Sequence, residues 1–330
     1  MKAIIPVAGI GSRLKPHTQT QPKSLIPVAG KPILGHIMDN LVAAGIDEFV
    51  FIIGYLGDKI EQFLTENYAQ VKLSFVMQTV GKGIGHAIWL AKNEINVEEP
   101  VFIVLGDTIF EADLKEVFAS ENSRLGVKKV EDPRLFGVAE VEGDGRIKKL
   151  IEKPKIPHSN LALVGLYYIK ETADLMQCLE YNIQNDIRNN NEFHLTDALE
   201  CMIQKGVRME TFPVSTWFDC GKKDIILQTN KTLLKRGELG NYKKFTDQGN
   251  IIVPPVYIAE SAQIENSIIG PDVSVGADAV ISQSIVKNSI IGQGASLKHA
   301  IIENSLIGSD ASLSGAVHSL NIGDSAEINL

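Results

Sequence analysis

At 330 residues, 44% hydrophobic and 22% charged, the chain is long enough for a full domain core plus a second unit and has a soluble, globular composition. A net charge of −8, with no basic face beyond the N-terminal segment, excludes a nucleic-acid partner. Cys178, Cys201 and Cys220 have no paired spacing for disulfides or zinc, the opening apolar run is too short for a signal peptide, and nothing approaches the roughly 18 apolar residues of a membrane span, so no membrane partner and a cytoplasmic location are expected.

The first predicted element is an apolar strand over 3–7 that breaks into Ala8-Gly9-Ile10-Gly11, a turn whose uncrowded backbone N–H groups can close on an anion. Such a turn alone is also an ordinary tight turn. Charge favours the anion: no Asp or Glu precedes Asp39, whereas Lys2, Arg13, Lys15, Lys23 and Lys31 all fall in this stretch. No Gly-Lys-Ser/Thr follows for a P-loop, and no third glycine falls where a dinucleotide fold needs one. Arg13 and Lys23 stand ten residues apart with Pro16 and Pro22 between them, which predicts a rigid, non-helical loop that wraps a polyphosphate.

Apolar spacing then predicts a helix over 33–42, a strand over 49–53, a helix over 58–66, a strand over 72–77, a helix over 84–93 and a strand over 101–105. Strands alternating with helices imply a mostly parallel sheet covered on both faces, with ligands beyond the carboxyl ends of the strands. Asp107 ends the last of these strands. It reads either as a helix cap or as a Mg²⁺ ligand on the same sheet edge as the glycine loop. Beyond 111 the rhythm loosens into strands over 138–141, 146–151 and 161–169, helices over 171–181 and 195–205, a strand over 208–213 and a helix from 222 toward 236.

From Gly249 the pattern changes. Asn266-Ser267-Ile268-Ile269-Gly270 returns at 288–292 and 304–308 and, degraded, at 319–323; the gaps are 22, 16 and 15 residues, the first longer by one six-residue unit. Apolar residues six apart (Ile269 and Val275, Ile291 and Leu297, Ile307 and Leu313, Ile322 and Ile328) are expected to point inward. Short strands stacked coil on coil give a β-solenoid. The expected organisation is a catalytic domain over 1–235, a linker over 236–250 and a β-helix over 251–330.

The segment Gly9-Ile10-Gly11-Ser12-Arg13-Leu14-Lys15-Pro16, with Pro22-Lys23-Ser24-Leu25-Ile26-Pro27, resembles the signature of the sugar-phosphate nucleotidylyltransferases, and the tail resembles the left-handed β-helix of hexapeptide-repeat proteins. The resemblance implies a Rossmann-like, mixed and mostly parallel α/β sheet followed by a left-handed parallel β-helix. It implies a reaction in which a nucleoside triphosphate and a sugar 1-phosphate give a nucleotide sugar and pyrophosphate. Arg13 and the backbone of Ala8, Gly9 and Gly11 would hold the β- and γ-phosphates, and Lys23 would act at the α-phosphate. Asp219, in Trp217-Phe218-Asp219-Cys220-Gly221, resembles the family's second metal aspartate and would share Mg²⁺ with Asp107. Glu152-Lys153-Pro154 matches the family's Glu-Lys-Pro, with Glu152 on sugar hydroxyls and Lys153 on the sugar phosphate; Gly137 and Gly165 would line the sugar pocket.

Gln78 and Gly83 lie in the segment expected to read the base. A primary amide matches the N3–H and adjacent carbonyl of uracil or thymine, so UTP or dTTP is expected; the resemblance to the glucose-1-phosphate uridylyltransferases and thymidylyltransferases of the family implies glucose 1-phosphate as acceptor. His86, in the same segment, reads as structural. A guanylyltransferase acting on mannose 1-phosphate, a bifunctional enzyme with an acyltransferase tail and a non-catalytic sugar-nucleotide binder are the alternatives. The tail is expected to join subunits into a homo-oligomer.

Overall fold

Strand β1 (Lys2–Pro6) owes its central place to Ala3, Ile4 and Ile5, which are fully buried. The computed structural model describes residues 1–237, 242–246 and 249–315. After β1, three short 3-10 turns (Ser12–Leu14, His17–Gln19, Lys23–Leu25) replace any regular helix, as the prolines require. The alternation then runs α1 (Ile33–Ala43), β2 (Glu48–Ile53), α2 (Gly57–Asn67), β3 (Lys72–Met77), α3 (Ile84–Leu90) and β4 (Val101–Val104). The helix expected over 84–93 stops at Leu90 and tightens into a 3-10 turn, Ala91–Glu94.

The second half comprises β5 (Thr108–Glu111), α4 (Leu114–Phe118), β6 (Ser123–Lys129), β7 (Gly137–Val141), β8 (Ile147–Glu152), β9 (Leu161–Ile169), α5 (Thr172–Gln184), α6 (Leu195–Gln204), β10 (Met209–Pro213), β11 (Thr216–Asp219) and α7 (Lys223–Arg236). The main sheet has the order β8-β7-β9-β4-β1-β2-β3, with β6 paired to both β9 and β10. It is parallel from β4 through β3 and antiparallel where β9 meets β4, so it is a mixed, Rossmann-like sheet. Phe51, Ile52, Phe102 and Ile103 are fully buried, as strands covered on both faces demand.

Contacts divide the chain into two units, Met1–Ile26 with Lys31–Ile226, and Pro27–Gly30 with Leu227–Leu330. In the second unit the buried Asn230 is a hub: its Oδ1 accepts from Ala29 N (2.8 Å) and Ser274 Oγ (2.6 Å), and its Nδ2 donates to Asp272 O (3.2 Å). Three stacks of short parallel strands form a left-handed β-helix. Ile251, Ile268, Ile285 and Ile301 stack in register on one face, so one coil takes 17, 17 and then 16 residues. Ile269, Val275, Ile291 and Leu297 fill its interior, as the six-residue spacing predicts; Leu313, in the last described coil, is 39% exposed. The copy expected at 319–323, with Ile322 and Ile328, lies outside the described residues.

Candidate active site

The glycine turn bends because Gly11 adopts φ +66°, and a side chain there would strike Thr18 Cγ2 at 2.9 Å. Thr18 Oγ1 donates to Gly11 O (2.9 Å), Tyr55 Oη donates to Gln19 O (2.8 Å) and Lys59 Nζ to Thr20 O (2.8 Å), so the loop is pinned to itself, to the turn before α2 and to α2. Ala8, Gly9, Gly11, Lys15 and Lys23 line a cleft of about 570 Å³, together with Gln78, Gly83 and Asp107. Arg13 stands outside that lining and is exposed, yet its charge reaches the Asp219 carboxyl.

The pairing of β5 with β11 brings the two aspartates together. Asp107 sits in the turn between β4 and β5, and the antiparallel register sets Asp219 opposite Thr108. Cys220 N then donates to Asp107 O at 3.1 Å. Lys23 Nζ ion-pairs with Asp107 Oδ2 and lies 4.0 Å from Asp219 Oδ1. Burial, then the nearby Asp107, hold the Asp219 carboxyl above its ordinary value, against the pull of Lys23 and Arg13. Two carboxylates converging on one ammonium form a hard-oxygen site with a cation already drawn into it, which suits Mg²⁺. Among the described residues no group of three or more His, Cys, Asp or Glu could hold a metal, so phosphate oxygens and water would complete the shell.

In the same cleft Gln78 is 9% exposed. Its Nε2 lies 3.3 Å from Gly83 O and 3.1 Å from His86 Nδ1. Gly83 takes φ +94°, and a Cβ there would meet Phe193 O at 2.5 Å. The segment is tied down by Gly85 N to Phe193 O and Phe193 N to Lys82 O, both 2.8 Å.

Glu152, Lys153 and Gly137 form a separate cluster. Thr196 Oγ1 donates to Glu152 Oε2 (2.6 Å), His194 Nδ1 stands 3.5 Å from Glu152 Oε1, and Lys153 Nζ lies 3.4 Å from the same oxygen. A Cβ on Gly137 would meet Thr196 Oγ1 at 3.0 Å and Glu152 Oε2 at 3.1 Å. Lys153 has φ +44°, a left-handed conformation costing about 1–2 kcal/mol in a residue with a Cβ. Gly165 (φ +83°) packs on the Leu105 side chain and accepts from Leu105 N (2.9 Å), and Leu105 also lines the cleft. Thr196 and His194 escaped the sequence reading, as did Ser24, whose buried Oγ has no hydrogen-bond partner among the described residues. Asn191 takes φ +65°, a region asparagine tolerates best after glycine.

A glycine turn followed by cations, two converging carboxylates and a mixed sheet give the first unit the build of an α/β enzyme, and a β-helix follows it. Residues 2–236 match the nucleotidyl transferase family, and residues 242–318 match the GlmU-like C-terminal hexapeptide family. The chain belongs to the nucleotidyl transferase family and is a sugar-1-phosphate nucleotidylyltransferase. It is 32% identical over 88% of its length to the low-salt glycan biosynthesis nucleotidyltransferase Agl11 of Haloferax volcanii, covering 87% of that protein. It is 33% identical over 77% of its length to the bifunctional protein GlmU of Methanococcus vannielii, but spans only 61% of that relative. Among solved structures, a UDP-glucose pyrophosphorylase complexed with UDP-glucose superimposes with a TM-score of 0.60 at 26% identity, covering 72% of this chain and 99% of that one. No described helix is long and apolar enough to cross a membrane.

Proposed function

We propose that the enzyme transfers a nucleotidyl group from UTP or dTTP to glucose 1-phosphate, giving a nucleotide sugar and pyrophosphate. The observation that carries this reading is the meeting of Lys23, Asp107 and Asp219, the first two of which line a cleft that the buried amide residue Gln78 also lines. A UDP-glucose-bound structural neighbour supports the pyrimidine nucleotide and the glucosyl acceptor. In the reaction, a phosphate oxygen of the sugar 1-phosphate attacks the α-phosphorus, a new P–O bond forms, and the bond to the β-phosphate oxygen breaks with its electron pair leaving on pyrophosphate. The nucleophile is already an anion, so no general base is needed, and catalysis reduces to positioning two repelling anions and neutralising charge.

The backbone of Ala8, Gly9 and Gly11 with Arg13 holds the outer phosphates, Lys23 stabilises the transferring phosphoryl group, and Lys153 holds the sugar phosphate with Glu152 on the sugar hydroxyls. Mg²⁺ held by Asp107 and Asp219 would supply charge neutralisation along the triphosphate. Gly137 and Gly165 border the sugar site, and Gln78 with Gly83 reads the base. Asp107→Asn or Lys23→Ala should lower kcat/KM by a few hundredfold, about 3–4 kcal/mol, in a pyrophosphate-release assay with Mg²⁺. Near-normal turnover in either variant would overturn the assignment.

A second reading, acyl transfer by the tail, is favoured by the GlmU-like hexapeptide match. Of the two histidines in the repeats, His299 is exposed at a left-handed corner (φ +52°) and His318 lies outside the described residues. Thioester consumption from acetyl-coenzyme A with an amino-sugar 1-phosphate tests it. The β-helix also serves as a subunit contact in this proposal, through the outward ladder Ile251, Ile268, Ile285 and Ile301.

A further inference from the structure

The amide of Gln78 is held in one orientation. Its neighbours are a carbonyl oxygen, Gly83 O at 3.3 Å, and a ring nitrogen, His86 Nδ1 at 3.1 Å. A carbonyl only accepts, so the amide nitrogen must be the group that faces Gly83. Its second proton then points at His86, whose Nδ1 must carry no proton. Both amide protons are engaged inside the protein, and Oε1, which has no protein partner among the described residues and is not one of its buried orphan atoms, remains for the cleft that Gln78 lines.

We infer that His86 is a positioning residue that sets base specificity: as the neutral Nε2–H tautomer it fixes the Gln78 amide so that an acceptor, not a donor, meets the base. This rests on the reading that Gln78 meets the base. Uracil and thymine offer N3–H to such an acceptor. Cytosine, with the same ring size, offers a bare N3 and would leave two acceptors facing each other in a desolvated site. Turning the amide over would set its oxygen against Gly83 O and its NH₂ toward the base, and losing the Nδ1 acceptor removes one of the two contacts that forbid this.

The ring itself is fixed. It stacks on Phe193 (centroids 6.4 Å, 28° between planes) and lies 5.9 Å from Trp89, on a helix whose first turn is tied through Gly85 N to Phe193 O. Burial, then the positive charge of Lys82, hold the imidazole below its ordinary range and keep it an acceptor at neutral pH.

The test compares kcat/KM for UTP and CTP in wild type, Gln78→Leu, His86→Phe, His86→Asn and the Gln78→Leu/His86→Phe double variant. Phenylalanine keeps the ring packing without the acceptor, and asparagine restores an oxygen near the position of Nδ1. His86→Phe should lower the UTP-to-CTP ratio about five- to tenfold, mainly through a higher KM for UTP with kcat changed less than about twofold. His86→Asn should keep most of the ratio, and the double variant should fall no further than Gln78→Leu alone. A ratio that survives His86→Phe but drops in Gln78→Leu overturns the role of His86 and leaves the base reading standing, as does an equal fall in kcat with both nucleotides. A ratio that survives Gln78→Leu overturns the base reading itself. Should His86→Phe fail to fold, the ¹⁵N shifts of His86 in the wild-type protein decide: a protonated Nδ1 overturns the inference.

Discussion

Lys23, Asp107 and the glycine turn were legible because each is marked locally, by a charge-biased loop or by the end of an apolar strand. Thr196 and His194 were not, because each meets a partner that only the fold brings near: they reach Glu152 across 44 and 42 residues of chain. The same cluster contains a testable strain. Burial holds the Asp197 carboxyl above its ordinary value, with Glu152 and Glu200 adding to the shift and His194 opposing it. A carboxyl raised in the fold contributes stability below the unfolded-state value of about 4, and that contribution is lost as pH rises through the folded value. Asp197→Asn should therefore raise Tm at pH 7, with the gain over wild type shrinking below about pH 4, as read by thermal unfolding across that range. A lower Tm at pH 7 would show that the charged form is the one the fold favours.

At the level of elements, the alternation from β1 to β4 reads directly from apolar periodicity, whereas β6 did not. Its sequence, Ser-Arg-Leu-Gly-Val-Lys-Lys, buries Leu125 and Val127 but is broken by a central glycine and by three charges. The pairing of β5 with β11 was also hidden, since two four-residue strands roughly a hundred positions apart announce nothing about their register. In the tail, the repeated asparagine and serine have separate physical reasons. Asn266, Asn288 and Asn304 occupy left-handed corners (φ +48°, +38° and +52°). The serines reach the next coil: Asn250 Oδ1 accepts from Ser267 N, Ser267 Oγ from Ser284 N, and Ser284 Oγ from Ala300 N, at 2.9 to 3.1 Å. The 22-residue gap arises because 268–269 and 290–291 lie on neighbouring faces of the helix, not on one. Ser284→Ala would leave the buried Ala300 N–H unpaired and should cost about 1–3 kcal/mol, measured by denaturant unfolding. A variant as stable as wild type would mean that another group satisfies that N–H.

At the scale of the whole molecule, α7 reads from sequence as the end of the first domain, yet its residues from Leu227 onward join the second unit, with Asn230 as the anchor. Periodicity shows where a helix runs, not which core claims each end. The isoleucine ladder on one β-helix face has Ile301 81% exposed, with Lys287 and Glu303 paired at its edge. Ile285→Lys with Ile301→Lys should shift the molar mass in light scattering toward that of a single chain, and an unchanged mass would place any subunit contact elsewhere. The account as a whole depends on the cleft joining a pyrimidine nucleotide to a hexose phosphate. Pyrophosphate release, measured with Mg²⁺ over a matrix of ATP, GTP, CTP, UTP and dTTP against glucose, mannose and N-acetylglucosamine 1-phosphates, tests this most directly. The account predicts turnover with UTP or dTTP and glucose 1-phosphate; turnover with GTP or ATP alone would contradict it.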